Sequence, residues 1–254
     1  MRQILGLAVL AACTAAASAD VADAIKRLSS PDVSERKKAA QELIEAGQSA
    51  AKAVKPLIKA LKDESRFVRR FAAQALGGVG ADAREAIPAL VILLEDDAPV
   101  RLAAITALGK MGPAAIPALT KAAGKGSASD VQEAAIDALT EAGPGATASL
   151  VGVIKDQAVE AQLRRKALAA VVKAGAPAAE AAVPVLAEVV KNPKGPGDVN
   201  MLRRETVQAL GTLAKASDSS ALAVLNEIIN DEKNRDMNLK NQCRAAVKKI
   251  MARK

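Results

Sequence analysis

The sequence has no His, no Trp and no Tyr, and it has only two Phe among 254 residues. Without His, the Ser–His–Asp and Cys–His catalytic arrangements and every His-ligated metal centre are excluded. A single compact core of this length normally uses aromatic side chains for bulk. Half of the residues are nevertheless apolar, and most of these are small, which favours helices packed closely against other helices. We therefore expect an all-α protein that is not an enzyme and holds no metal or cofactor.

Residues 1–19 have the pattern of a secretory signal peptide. After a positively charged start, residues 4–17 are almost entirely apolar, and Ala17-Ser18-Ala19 is a small-x-small cleavage signal. A second interpretation is a lipoprotein signal over residues 1–12, because Leu10-Ala11-Ala12-Cys13 resembles a lipobox in which the cysteine is acylated. Both interpretations predict export, with a periplasmic or secreted protein in the first case and a lipid anchor to the envelope in the second.

One 13-residue segment recurs seven times in the rest of the chain, with starts separated by 31 to 39 residues. The copies start at Glu35, Val68, Val100, Val131, Leu163, Leu202 and Leu239. When the starting residue is counted as position zero, position four is a small residue and position eight is Leu or Val. These positions share one face of a helix with a period of 3.6 residues. A repeat of this length is typical of stacked helix pairs, each of which buries its apolar face against its neighbours.

The copies at Val68 (VRRFAAQALG) and Val100 (VRLAAITALG) show the plan Val-Arg-x-x-Ala-Ala-x-x-Ala-Leu-Gly most clearly. With a preceding helix that ends in Asp, this plan resembles the HEAT family, and within it the short HEAT-like repeats of the phycobilisome-lyase type. The resemblance covers residues 20–254. It implies a right-handed α-solenoid of about seven HEAT-like helix pairs, whose commonest use in the family is protein–protein interaction along a concave face. The lyases act on pigments, but this chain has no His, Trp or Tyr with which to cradle one.

Position one of the repeated helix is basic in most copies. The arginines of this row are Arg36, Arg69, Arg101, Arg164 and Arg203. An Asp lies four residues before Arg36 and Arg101, and Arg–carboxylate pairing suits such a site. We expect these arginines to form a structural ladder between neighbouring copies. The alternative is a basic ridge that binds a partner.

Position two points away from the apolar face and gives the candidate partner-binding residues Lys37, Arg70, Arg165 and Arg204. They predict two basic patches for an anionic partner, unless they only make the surface soluble. Phe67 and Phe71 lie four residues apart on one helix and therefore share a face. They are further candidates for partner binding, with local packing as the alternative.

The sequence thus predicts a non-catalytic, exported scaffold that binds a protein or peptide partner, and a basic surface favours an acidic one. The formal net charge of +8 supports an alternative, the binding of an anionic envelope polymer or lipid. A second alternative is an accessory subunit of an enzyme complex. Nucleic acid is not expected as a partner, because the aromatic side chains that stack on bases are missing.

Overall fold

The computed structural model describes residues 20–124 and 126–253, apart from the side chains of residues 176 and 177. The predicted signal peptide and Cys13 lie outside the described residues. The described residues are helical with short connections and contain no strand. They form two compact units, of which one ends at Leu119 and the other begins at Thr120. The predicted fold class, an all-α array of stacked helix pairs, is confirmed.

The first unit contains pairs of a short helix and a longer helix. Its helices are α1 (20–27), α2 (Val33–Ala46), α3 (Val54–Ala60), α4 (Arg66–Val79), α5 (Ile87–Ile92) and α6 (Ala98–Lys110). Short 3-10 helices join them at Gly47–Ala53, Gly80–Ala86, Leu93–Glu95 and Gly112–Ala115. The repeated segments form the longer helices, and α4 packs between α2 and α6. The exposed sides of these three helices therefore lie next to one another.

The second unit follows the same plan with longer helices, and α7 (Ile116–Ala123) spans the boundary between the units. Its further helices are α8 (Ser129–Glu141), α9 (Thr147–Lys155), α10 (Ala161–Ala174), α11 (Ala176–Lys191), α12 (Val199–Leu213), α13 (Ser219–Asn230) and α14 (Met237–Met251). A short 3-10 helix, Gly143–Ala146, precedes α9. The repeated helices pack in chain order, α8 on α10, α10 on α12 and α12 on α14.

The ends of the helices follow from local chemistry. The side chains of Asp32, Asp198 and Asp236 accept hydrogen bonds from main-chain N–H groups in the first turns of α2, α12 and α14. The glycines that close the first five copies all have a positive φ, for example 72° at Gly80 and at Gly175. A side chain at such a position would be strained, so glycine ends these helices at a fixed residue.

The core is made of the residues that the repeat places on one face. Positions four and eight are fully buried in the first unit, as in Ala72 and Leu76 of α4. In the last copy Cys243 takes position four with no exposed surface, and this burial raises the pKa of its thiol to about 11. Cys243 therefore acts as a small apolar residue of the core.

Two glycines let repeated helices approach closely. A Cβ atom added at Gly77 of α4 would lie 3.0 Å from the Cα atom of Ala107 on α6. In the second unit, a Cβ at Gly211 would lie 3.1 Å from the Cα of Ala246 on α14. The small residues that dominate the composition thus set the spacing between helices.

Candidate functional site

The position-one arginines of the first unit join neighbouring copies. Arg36 donates from Nε and Nη2 to the carboxylate of Asp63 at 2.7 and 3.1 Å. Arg69 donates in the same way to Asp96, with both distances 2.7 Å. The pairs are largely buried, since the side chains of Arg69 and Asp96 are 18% and 15% exposed. The hydrogen bonds from Arg69 hold the pKa of Asp96 below its usual value. Each arginine thus bridges to the turn of the copy that follows its own.

The carboxylate in these pairs is not the one that the sequence suggested. Asp32, four residues before Arg36, instead accepts a hydrogen bond from the main-chain N–H of Ser34 and caps α2. The arginine reaches the aspartate 27 residues further along the chain. The spacing within one copy therefore identified the right kind of partner in the wrong copy.

The other members of the row donate to main-chain oxygens in the last turns of helices or in the connections that follow them. Arg101 contacts the Asp96 carbonyl at 3.3 Å, and Arg203 donates to the Val190 carbonyl at 2.7 Å. Arg164 donates to the carbonyls of Ile154 and Lys194. All five arginines of the row therefore contact main-chain or side-chain groups of the chain itself.

Lys37 and Arg70, the first two position-two candidates, belong to a group of cations around the exposed ring of Phe67. Phe67 is 42% exposed and lies in the first turn of α4. Lys37 Nζ of α2 is 5.4 Å from the centroid of its ring, and the Cζ atoms of Arg66 and Arg70 are 5.1 and 5.8 Å away. Arg70 also lies 4.7 Å from the ring of Phe71, which is buried. We call these five residues the Phe67 cluster.

In the part of the chain that the structure describes, no carboxylate pairs with the cations of the Phe67 cluster. Within residues 20–124 and 126–253, neither Lys37, Arg66 nor Arg70 forms an ion pair, and Nε of Arg70 is buried without a hydrogen-bond partner. The ring attracts the cations through its quadrupole but does not neutralise them. The cluster therefore presents three positive charges and an apolar ring on the surface of α2 and α4, which suits an anionic ligand with an apolar part.

Arg165 and Arg204, the other two position-two candidates, each pair with a carboxylate of the second unit. Arg165 donates from Nε and Nη2 to Glu205 at 2.8 and 2.5 Å, which raises the pKa of Arg165. Arg204 Nη2 lies 3.0 Å from Asp236. The pKa of Asp236 is lowered by the main-chain N–H of Leu239 and then by Arg204. The two predicted basic patches thus differ in charge, and the one in the second unit carries its own counter-ions.

The difference between Arg165 and Arg70 has a signal in the sequence, at position three of the following copy. Position three of the next copy faces position two, and Glu205 occupies it opposite Arg165. The corresponding residue after Arg70 is Ala103, which carries no charge. Position three therefore accounts for the difference between Arg165 and Arg70, whereas Arg204 pairs with Asp236, the residue that precedes α14.

Metal sites and membrane-spanning helices are two other features that the described part of the chain could contain. Among the residues with a placement, no group of three or more His, Cys, Asp or Glu side chains is arranged to hold a metal ion. In that same part, none of the helices combines the length and the apolar character needed to cross a membrane.

Comparisons with known proteins bear on the repeat. The family model of HEAT repeats matches residues 21–99 and 80–140. No curated protein matches the chain. Among solved structures, the complex of CpcE and CpcF of phycocyanin lyase from Nostoc sp. PCC7120 is 26% identical, with 90% of this chain and 93% of that chain covered and a TM-score of 0.45.

Two further solved structures show a similar degree of likeness. An engineered protein is 23% identical over 91% of this chain and 68% of its own, with a TM-score of 0.48. Human deoxyhypusine hydroxylase in complex with glycerol is 23% identical over 92% of this chain and 97% of its own, with a TM-score of 0.41. These scores are low, and none of the three likenesses carries an argument about what this chain does.

Proposed function

We propose that this chain, whose helix pairs between residues 21 and 140 are HEAT repeats, is a non-catalytic interaction scaffold that binds an acidic segment of a protein partner at the Phe67 cluster. The observation that supports this proposal is the exposed ring of Phe67 with Lys37, Arg66 and Arg70 around it. None of these cations forms an ion pair with a residue that has a described position.

The cluster is suited to a segment that has acidic and apolar side chains. The part of Phe67 that is exposed loses its contact with water when an apolar side chain covers it, which favours binding at about 25 cal/mol per Å². A carboxylate placed beside Arg70 would pair with a guanidinium that the two phenyl rings already hold in place, so little side-chain freedom is lost. Leu102, 39% exposed at position two of the adjacent helix α6, extends the apolar part.

Export is part of the proposal and rests on the pattern of residues 1–19. An exported scaffold meets its partner in the periplasm or outside the cell. The mass of the mature protein distinguishes the two forms, because cleavage after Ala19 leaves Asp20 as the first residue, whereas a lipoprotein begins with an acylated Cys13. A mature protein that retains residues 1–12 contradicts both forms.

Binding to a defined probe tests the proposed site. The probe is a fluorescein-labelled peptide that alternates Glu and Leu, and its affinity for the full chain is measured by fluorescence anisotropy. We expect Lys37→Gln/Arg70→Gln to weaken binding about tenfold or more, which corresponds to about 1.4 kcal/mol. The matched control is Arg165→Gln/Arg204→Gln, which removes the same net charge from the neutralised patch and should change the affinity less than about threefold. Circular dichroism confirms that both variants are folded.

A third variant separates a protein partner from a polyanion. Phe67→Ala should weaken the Glu–Leu peptide but leave dextran sulfate binding unchanged, since the polymer has no apolar side chain to place on the ring. Equal weakening by both double variants would show that only net charge matters. That result, together with a steep loss of binding in salt, would favour the anionic polymer instead.

A further inference from the structure

A second binding site is suggested by a cavity in the second unit, away from the Phe67 cluster in sequence. The cavity has a volume of about 430 Å³ and lies where the end of α9, the first turn of α10 and the last turns of α11 meet. Its polar lining consists of Lys155, Gln157, Arg164, Glu188 and Asn192. Pro184, Val185 and Val189 supply an apolar wall.

Arg164 is the unusual member of this lining, because it is a buried cation that pairs with no carboxylate among the described residues. Its side chain is 1% exposed and forms no ion pair with any residue that the structure describes. Nε and Nη1 donate to the carbonyls of Ile154 and Lys194, whereas Nη2 donates no hydrogen bond within the described residues. Burial lowers the pKa of Arg164, and the charge of Asp156 offsets this only in part. A buried charge of this kind is costly unless an anion compensates it.

The equivalent arginines of the first unit each have an aspartate partner, which Arg164 lacks among the described residues. Arg36 and Arg69 occupy the same position of the repeat, and each is bound by an aspartate at the end of the following short helix, Asp63 or Asp96. After α11 the corresponding residue is Asn192, which has no charge. The copy that contains Arg164 therefore keeps the cation of the ladder and lacks its carboxylate.

The loop between α11 and α12, residues 192–198, packs against Arg164 and the start of α10. Its Pro196 carbonyl accepts a hydrogen bond from the main-chain N–H of Ala161 at 2.8 Å, at the start of α10. A Cβ atom at Gly195 would lie 2.7 Å from the carbonyl oxygen of Gln157 and 3.0 Å from Nη1 of Arg164. The loop thus brings the main-chain carbonyl of Lys194 to Arg164, where the first unit has a carboxylate, and the cavity lies beside it.

We propose that this cavity binds a carboxylate, which takes the place of the missing aspartate and pairs with Arg164. Lys155 adds a second positive charge at the cavity, and the amides of Gln157 and Asn192 offer hydrogen-bond donors. Glu188 limits the ligand to a single negative charge at this place. It already accepts a hydrogen bond from Nδ2 of Asn192 at 2.7 Å, and a second carboxylate near it would be repelled.

Acetate and acetamide form a matched pair of probes for this site. The full chain is labelled with ¹⁵N, and the Nε–H signal of Arg164 is followed by NMR while either compound is added. We expect a saturable shift with acetate below about 50 mM. Acetamide, which has the same shape without the charge, should give none, and sodium chloride at equal ionic strength should give none either. A signal that does not respond to acetate overturns the proposal.

Asn192→Asp is the decisive variant, because it supplies an internal carboxylate where the first unit has Asp63 and Asp96. It leaves Arg164 in place, whereas replacement of the buried arginine itself risks loss of folding. We expect the variant to fold and to lower the affinity for acetate at least tenfold. Asn226→Asp adds the same charge on the exposed surface of α13 and should leave acetate binding unchanged. Equal acetate binding by the parent and Asn192→Asp contradicts the proposal.

Two peptides identify the source of the carboxylate. A short Gly–Ala peptide with a free C-terminus presents a terminal carboxylate, and the same peptide with an amidated C-terminus and a central Glu presents a side-chain carboxylate. Competition of either peptide with acetate assigns the site to that kind of chain segment. Binding of acetate without competition by either peptide assigns it to a small free acid. The result is independent of the Phe67 cluster, since Lys37→Gln/Arg70→Gln should not alter the Arg164 signal.

Discussion

Replacement of Asp96 by Asn should destabilise the first unit measurably. Asp96 accepts two hydrogen bonds from Arg69 at 2.7 Å and one from the N–H of Asp97 at 2.7 Å. Asparagine keeps one oxygen, so it can still accept from Asp97, but its NH₂ group then faces a guanidinium donor. The charge that compensates Arg69 is also lost.

The size of this effect follows from the burial of the pair. A hydrogen bond to a charged group contributes about 1.5–3 kcal/mol, and rupture of a fully buried pair costs about 3–5 kcal/mol. The side chains of Arg69 and Asp96 are 18% and 15% exposed, so the pair is not fully buried. We therefore expect Asp96→Asn to lower the free energy of unfolding by about 2 kcal/mol, less than rupture of a fully buried pair and more than rupture of an exposed one. The matched control is Glu227→Gln. Glu227 pairs with Lys191, and these side chains are 61% and 50% exposed, so the variant should lose less than about 0.5 kcal/mol.

Urea unfolding followed by circular dichroism at 222 nm measures both variants, because the chain has no Trp or Tyr for a fluorescence signal. The double variant with Arg69→Met should recover part of the loss, since it removes the uncompensated cation. The pH dependence gives an independent check. The pKa of Asp96 is lowered in the fold, so its stabilisation is complete above the usual value of 3.8 and is lost as the pH falls below it. A loss below about 0.5 kcal/mol for Asp96→Asn, or an unchanged acid transition, would refute this account of the ladder.

Two further predictions concern packing. Gly77→Ala should destabilise the protein by about 1 kcal/mol in urea unfolding, because its Cβ would meet the main chain of Ala107 at 3.0 Å. Gly152→Ala in α9, where an added Cβ would meet no atom of another element within 4 Å, should instead stabilise it by about 0.5–1 kcal/mol, and effects of equal sign would contradict the packing argument. Cys243, whose thiol pKa is raised to about 11 by burial, should resist iodoacetamide at pH 8 in the native protein and react in urea. Peptide mass mapping measures this alkylation, and rapid labelling of the native protein would show that the last helix opens readily.

The helices and the core residues were predictable because they depend on spacing along one chain segment. A helix of 3.6 residues per turn places Ala72 and Leu76 on one face whatever the neighbouring copy contains. Glycine at the end of a copy indicates a helix end for an equally local reason, since only glycine adopts the positive φ found at Gly80 without strain. Such features need no knowledge of what the helix packs against.

The ion pairs were not predictable from one copy, because their partners belong to the next one. Arg36 and its partner Asp63 are 27 residues apart, whereas the aspartate nearest to Arg36 in the sequence before it is Asp32. The contrast between Arg70 and Arg165 has the same origin, because the residue that decides it is Ala103 in one case and Glu205 in the other. The pairing can be read from the sequence only when each copy is compared with the copy that follows it.

Phe67 and Phe71 illustrate a second limit. Their spacing places them on one side of α4, yet Phe67 is 42% exposed and Phe71 is 8% exposed. Phe67 lies in the first turn of the helix, and Phe71 lies one turn further into the packed part. Their joint contact with Arg70 and the approach of Lys37 from α2 depend on side-chain positions that periodicity does not specify. Which predicted residues form one cluster is therefore a property of the packed helices.

The offset of the ladder also has a consequence for how such a chain changes its length over evolution. Arg36 and Arg69 of the first unit each pair with an aspartate of the following copy. Excision of one whole copy between Arg36 and Arg69 would bring Arg36 opposite Asp96, which is the same kind of partner as the Asp63 it lost. Unequal recombination can therefore add or remove copies here and still leave each arginine with an aspartate partner. A recombination point next to Arg164 would instead leave an arginine whose following copy has no aspartate at the matching position.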